Sequence, residues 1–254
     1  MDKNNYIYGR NSVTEALSSN PKRINKVYIS KTSSKDPKID EIIKLAKKYG
    51  VVFQFVPKEK FQEFSNLHHQ GVMAMVSPVE YMDFYDFLVA QKEKKGYSKL
   101  IILDGVEDPH NLGAIIRTAA CAGFDAVIIP SRRSAQVSAI VEKTSAGAIN
   151  HIPLIQVNSL SNIIDKLKDN DYWIIAADAH GKDNYYDVDY TDMNFAIIMG
   201  GEETGVSKNN MKNSDFVVKI PMLRNFNSLN VSNAASAIIY ESVRQMITKQ
   251  KHSV

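Results

Sequence analysis

The chain of 254 residues contains one cysteine, Cys121. That excludes an internal disulfide framework and fits a reducing compartment. No apolar run reaches the roughly 20 residues that a membrane-spanning helix needs. The start, MDKNNYIYGR, has no apolar signal core. These absences lead us to expect a soluble cytoplasmic protein without a membrane partner. The pattern Gly-x-x-x-x-Gly-Lys-Ser/Thr is missing, so a P-loop is not supported, and the dinucleotide fingerprint does not follow the strand near residue 100. The six histidines show no metal-ligand spacing with acids or with Cys121, so no metal is expected. There is no internal repeat and no low-complexity tract.

What is present is a globular composition. Hydrophobic residues make up 44% and charged residues 23%, enough for a real core and against wholesale disorder. The net charge is only +3, but it is unevenly spread. Residues 1–80 hold 13 Lys and Arg against 8 Asp and Glu, a net of +5, which leaves −2 for the remainder. A basic first part on a slightly acidic second part suggests a module that faces a polyanion. Ordinary solvated lysines would give the same count.

Hydrophobic periodicity divides the chain into a small α/β domain over 1–77, a linker over 78–97 and a larger domain over 98–254. In the first, helices are expected from about Ser12 to Leu17, Pro37 to Tyr49 and Lys58 to Phe64. Strands are expected at Lys26 to Ser30, Val51 to Val56 and Gly71 to Ser77. In the second, short apolar runs at Leu100 to Leu103, Ala126 to Ile129, Ile152 to Val157, Trp173 to Ala177, Phe195 to Met199 and Phe216 to Ile220 read as strands. They alternate with helices fitted to Leu112 to Ala122, Val137 to Ala148, Leu160 to Lys168, Lys208 to Asn213 and Leu229 to Thr248. The fold class is therefore α/β, a mostly parallel sheet with helices on both faces. Ligands in such sheets sit beyond the carboxyl ends of the strands.

Three polar loops fall at that edge. In LDGVEDPHNLGAIIRTAACAGF, residues 103–124, Asn111 can cap the helix, and Leu112, Ile115, Ile116 and Ala119 form its buried stripe. At about 100° per residue, Arg117 points away from that stripe. A solvated arginine would do so too; the functional reading is a guanidinium aimed at a phosphate or a developing oxyanion. In IIMGGEETGVS, residues 197–207, Gly200, Gly201 and Gly205 permit close backbone approach to a ligand, and Glu202 is placed to orient a partner. A plain turn has the same composition. In IPMLRNFNSLNVSNAASAIIYE, residues 220–241, small polar side chains precede a long helix with Ser228 as the expected N-cap, leaving main-chain N–H groups open to a ligand.

Taken together, the three loops resemble in order and spacing the motifs of the SpoU (TrmH-like) family of RNA ribose 2′-O-methyltransferases. Asn111 and Arg117 match the first motif, Gly200, Glu202 and Gly205 the second, and Pro221, Ser228, Leu229 and Asn230 the third. IYGRNSVTEAL and HQGVMAMVSP resemble the small N-terminal substrate domain of the ribosomal-RNA branch, and DPHNLGAIIRTA with RRSA at 132–135 points to the same branch, which methylates a guanosine of 23S ribosomal RNA. Two departures stand out: Arg224 where many relatives have glycine, and Asn233 where they usually have valine.

The resemblance implies a deep trefoil knot at the C-terminus, S-adenosyl-L-methionine as cofactor, and a homodimer with the site near the interface. It implies a cofactor held by Met199, Gly200, Gly205, Ile220, Ser228 and Leu229, largely through main-chain groups. It makes Asn111, Arg117, Glu202, Ser228 and Asn230 the catalytic set, with Arg117 acting on the 2′-hydroxyl and Glu202 orienting Arg117 or Asn230. Transfer RNA is the rival substrate, and a non-catalytic RNA-binding or ribosome-assembly protein is the rival class.

Overall fold

The computed structural model describes residues 6–33, 36–64 and 68–252. The chain forms two compact units, Met1–Glu80 with Val137–His151, and Tyr81–Gln136 with Ile152–Val254.

The first unit is built on a mixed sheet of β1 (Tyr6–Tyr8), β2 (Ile24–Ser30), β3 (Phe53–Val56) and β4 (Val72–Val76), in the order β1-β4-β2-β3. β4 runs antiparallel to both its neighbours, and β2 and β3 are parallel. Helices α1 (Arg10–Ser19) and α2 (Pro37–Lys48) cover one face, packing Val13, Leu17, Ile39, Ile42 and Ala46 on Val27, Ile29, Val72 and Ala74. Asp36 caps α2 by accepting the Lys38 N–H, with Pro37 in the first turn, where its missing N–H has no cost. The segment Lys58–Phe64 is a 3-10 helix. β1 was not expected, because YIY is only three residues long.

The expected helix over 137–148 is shorter. α5 covers Ala139–Thr144, capped by Ser138, and the chain leaves helical geometry at Ala146, whose φ is 49°. It belongs to the first unit because Glu142 is buried against Arg23 at 2.9 Å and Ala139 packs with Tyr6 and Tyr8. Sequence periodicity carries no trace of this return, since it depends on contacts between residues more than 100 positions apart, such as Arg23 with Glu142 and Asn150, and Glu15 with His151.

The second unit holds a seven-stranded sheet. Its strands are β5 (Lys99–Asp104), β6 (Ala126–Pro130), β7 (Leu154–Val157), β8 (Tyr172–Ala177), β9 (Asp183–Asn184), β10 (Asn194–Gly200) and β11 (Phe216–Lys219). The order is β7-β6-β5-β10-β8-β11-β9, and every neighbouring pair is parallel. One face packs Leu100, Ile102, Ile128, Ile174 and Ile198 on α3 (Phe84–Lys92) and α6 (Leu160–Lys168). The alternate residues Ile101, Val127 and Ile197 are equally buried and turn toward the other face, where α4 (Pro109–Cys121) lies on β6 and α8 (Val231–His252) on β10. α7 (Lys208–Lys212) is a short turn of helix before β11. No helix among the described residues is long and apolar enough to cross a membrane.

The stretch read as a linker differs most. Asp83 caps α3 by accepting the N–H groups of Tyr85 and Asp86, and Phe84, Phe87 and Leu88 enter the core of the second unit. Burying each such side chain contributes about 1.5–3 kcal/mol, so the short helix docks firmly. The charge run KEKKG that follows it hid the i, i+3, i+4 pattern.

Candidate active site

Three strands that lie side by side, β10, β8 and β11, end at one edge of the sheet. Beyond their carboxyl ends opens a cavity of about 380 Å³, within the roughly 300–1,000 Å³ typical of small-molecule sites. Its floor is Ala177 at the end of β8 and Asp178 after it, Met199 and Gly200 from β10, and Val218 and Lys219 from β11 with Ile220 after them. The loop over 200–205 forms one wall; Ser228, Leu229, Val231, Ala234 and Ile238 form another.

The glycine loop is held by close main-chain approaches. Gly201 N–H donates to the Asp104 carbonyl and Gly205 N–H to the Gly201 carbonyl, both at 2.9 Å. A Cβ on Gly200 would lie 2.0 Å from the Gly205 carbonyl carbon, and one on Gly201 would lie 2.2 Å from the Gly105 carbonyl oxygen. No side chain fits at either position without moving backbone. The Asp104 carboxylate secures the loop's exit by accepting from Ser207 N–H and Asn210 Nδ2, both at 2.9 Å.

Beside the cavity, three polar side chains from three loops meet. Asn111 Nδ2 donates to Glu202 Oε1 at 3.1 Å, and Asn230 Nδ2 donates to the same oxygen at 2.6 Å and to Asn111 Oδ1 at 3.0 Å. The amide orientation of Asn230 follows from chemistry: its Oδ1 accepts from the N–H groups of Ser232 and Asn233, so only Nδ2 can face the carboxylate. Asn230, rather than Ser228, therefore caps α8, which begins at Val231 rather than Leu229. The cap of α4 also shifts. Asp108 accepts the His110 N–H with Pro109 in the first turn, which releases Asn111, 6% exposed, to face Glu202.

The six residues expected around the cofactor, Met199, Gly200, Gly205, Ile220, Ser228 and Leu229, all line the cavity, as does Glu202. Asn111 and Asn230 reach it through Glu202. Arg117 does not line it: it is exposed on α4 and has no hydrogen-bond or ion-pair partner among the described residues. Glu202 accordingly orients the two asparagines within the chain, and not Arg117. Sequence reasoning missed Asp178 and His180, which also line the cavity. The Asp178 carboxylate, 11% exposed, accepts the His180 N–H at 2.9 Å and stands 3.2 Å from the His180 ring. Read as sequence, ADAHG after a strand is an ordinary turn.

Charge and polarity narrow the ligand. Asp178, Glu202 and Glu203 outnumber Lys219 among the charged lining residues, which disfavours a polyphosphate and suits a cationic group. Met199, Ile220, Leu229 and Ile238 give an apolar wall. The main chain at Ile220, Ser228 and Leu229 makes no hydrogen bond among the described residues, so its donors and acceptors are open to a bound heterocycle. Among the described residues no group of three or more His, Cys, Asp or Glu side chains is placed to hold a metal ion.

Residues 98–240, which contain the whole cavity edge, match the model of the SpoU rRNA methylase family.

The chain belongs to that family.

Residues 6–82 match a second model, described as RNA 2′-O ribose methyltransferase substrate binding. A relative in Staphylococcus aureus named "Putative TrmH family tRNA/rRNA methyltransferase" is 46% identical, with 94% of this chain and 95% of the relative covered. Two solved structures share the fold. The SpoU methyltransferase AviRb from Streptomyces viridochromogenes in complex with AdoMet matches with a TM-score of 0.79 at 22% identity, covering 96% of this chain and 90% of its own. An AdoMet-bound rRNA methyltransferase from Sinorhizobium meliloti gives 0.78 at 21% identity, covering 94% and 86%.

As an RNA methyltransferase of the SpoU family, the chain makes a cap serve two purposes at once. Replacing Asn230 by alanine removes the α8 cap, a loss of about 1 kcal/mol, and takes away the amide donor shared by Glu202 and Asn111, leaving only the Asn111–Glu202 hydrogen bond of the cluster. A drop of about 2–4 °C in melting temperature is expected. Asn230→Ser keeps a capping oxygen too short to reach Glu202; it is expected to regain the melting temperature while methyl transfer stays low. A thermal melt beside a transfer assay checks both.

Proposed function

We propose that this chain transfers a methyl group from S-adenosylmethionine to a ribose 2′-hydroxyl of RNA, acting as a homodimer on a guanosine of 23S ribosomal RNA. The observation that carries the reading is the acid-biased cavity at the carboxyl edge of β10, β8 and β11, with the Asn111–Glu202–Asn230 cluster beside it. The residues fit the cofactor. The main chain at Ile220 and Leu229 would take the adenine edge, the apolar wall its faces, and the carboxylates the positive end. S-adenosylmethionine supplies an already activated methyl group, so the chain's own work is to align the acceptor and stabilise the charge left when its proton departs. Glu202 holds the Asn111 and Asn230 amides in place, leaving Ser228 free to meet the ribose or its phosphate. The Arg117 guanidinium is a donor without an acceptor, so its part is to stabilise the developing alkoxide or grip the adjacent phosphate.

The homodimer reading rests on Arg117, which is exposed on α4, without a hydrogen-bond or ion-pair partner among the described residues, and absent from the cavity of its own chain. In a symmetric pair it completes the partner's cavity. The domain roles belong to the same proposal, with 1–77 binding RNA and 98–254 carrying out transfer, and so does the trefoil knot. A cytoplasmic location agrees with an RNA substrate and with the exposed, unbonded thiol of Cys121.

Titration calorimetry with S-adenosylmethionine is expected to show saturable binding, and its absence would remove the enzyme reading in favour of a non-catalytic RNA-binding protein. Mapping ribose methylation in cells lacking the protein tests the substrate: loss at one guanosine of 23S ribosomal RNA is expected, and loss confined to transfer RNA overturns that choice.

A further inference from the structure

α1 and α2 cover one face of the first unit's sheet; the other is only half covered. Register places Tyr8, Met73, Tyr28 and Gln54 in one row across β1, β4, β2 and β3, with Tyr6, Met75 and Lys26 in the next. Ala139 of α5 and Phe61 pack over Tyr6, Tyr8 and Met73, and the cover stops at Tyr28 and Met75, which stay partly exposed.

Lysines gather over this face. Lys26 Nζ stands 5.4 Å and Lys60 Nζ 5.8 Å from the Tyr28 ring centroid, and Lys143 Nζ stands 5.3 Å from that of Tyr8. Among the described residues none of the three ammonium groups has a carboxylate or hydrogen-bond partner. Elsewhere in the same unit Arg10 is paired with Asp36 and Arg23 with Glu142. An ammonium resting on a ring face is held weakly and is readily exchanged for a phosphate oxygen.

We propose that this half-open sheet face is a single-stranded RNA site, with one unpaired base stacked on Tyr28 and the flanking phosphates taken by Lys26, Lys60 and Lys143. An aromatic ring between cations on a sheet is what a splayed-out nucleotide requires, since every base has a face to stack and every linkage a charge to neutralise. A base arriving at Tyr28 displaces an ammonium toward the nucleotide's own phosphate, so both partners gain a contact. Duplex RNA buries its base faces and cannot use the ring. The inference rests on the reading that this chain acts on RNA, and it names the form of RNA that the first unit takes.

The test uses the full chain, a fluorescein-labelled 12-nucleotide oligouridylate and a labelled 12-base-pair RNA duplex, read by anisotropy over a salt series. Tyr28→Ala is expected to weaken oligouridylate binding about 10-fold, and Tyr28→Phe to leave it unchanged. Lys26→Ala with Lys60→Ala is expected to reduce the slope of log affinity against log salt by about 1.4, two contacts at about 0.7 each. Wild-type oligouridylate affinity in Tyr28→Ala overturns the proposal, as does an unchanged salt slope in the double lysine variant or duplex binding that falls equally in Tyr28→Ala. Calorimetry with S-adenosylmethionine on the same variants separates the two readings. Intact cofactor binding with unaltered RNA binding in Tyr28→Ala removes this site alone. Tyr28-dependent RNA binding without cofactor affinity removes the methyl-transfer reading and leaves this site standing.

Discussion

Arg117→Ala is expected to lower methyl transfer to RNA by about 10²–10³-fold, the usual consequence of removing one charge-stabilising donor from a transition state. S-adenosylmethionine affinity is expected to stay at the wild-type level, because the part proposed for Arg117 is toward the RNA ribose and phosphate and not toward the cofactor. Arg117→Lys keeps the charge but loses the planar fork that meets a phosphate or alkoxide with two donors, so it is expected to recover little. Structural damage is a poor alternative explanation, since the side chain is exposed and makes no hydrogen bond or ion pair among the described residues. Single-turnover transfer with calorimetry on the same preparation measures both quantities. Full transfer in Arg117→Ala would remove the residue from the chemistry.

The second large effect is expected at Gly200. Its added Cβ would sit 2.0 Å from the Gly205 carbonyl carbon and 2.1 Å from the Val206 nitrogen. Both are backbone atoms, so Gly200→Ala must shift the loop over 201–205 that walls the cavity. Overpacking of this kind costs about 1–3 kcal/mol, and carried into cofactor affinity that is roughly 5- to 150-fold. Wild-type affinity in Gly200→Ala would show that the close approach does not shape the cavity.

The two variants together test the dimer. A heterodimer of one Arg117→Ala chain and one Gly200→Ala chain has an intact cavity in one protomer and an intact arginine in the other. If Arg117 serves the partner's cavity, one of the two sites is complete, and activity returns to about half of wild type per dimer. If it serves its own cavity, no site is complete, and with the cofactor held well below the concentration that fills the Gly200→Ala site the mixture stays near the background of the two parent variants. Purification through two different tags isolates the mixed species.

Most of the second unit's strands were readable because a parallel sheet buried on both faces leaves continuous apolar runs, as at Leu100 to Leu103 and Phe195 to Met199. α6 matches its expected bounds, Leu160 to Lys168, because cap, amphipathic stripe and basic last turn agree. β9 was not legible: two polar residues become a strand only by pairing with β11.

Local chemistry determined the α/β class and the three polar loops, since strand-end loops in a parallel sheet converge whatever the details of packing; the set of Met199, Gly200, Gly205, Ile220, Ser228 and Leu229, which lines the cavity, came from the likeness of those loops to the family's motifs. Tertiary structure decided which asparagine caps and which one bridges, that Asp178 belongs to the cavity, that Val137–His151 returns to the first unit, and that Arg117 stands outside its own chain's cavity. Each of these depends on contacts between residues far apart in the chain. Periodicity reports which face a side chain takes, never what it meets there.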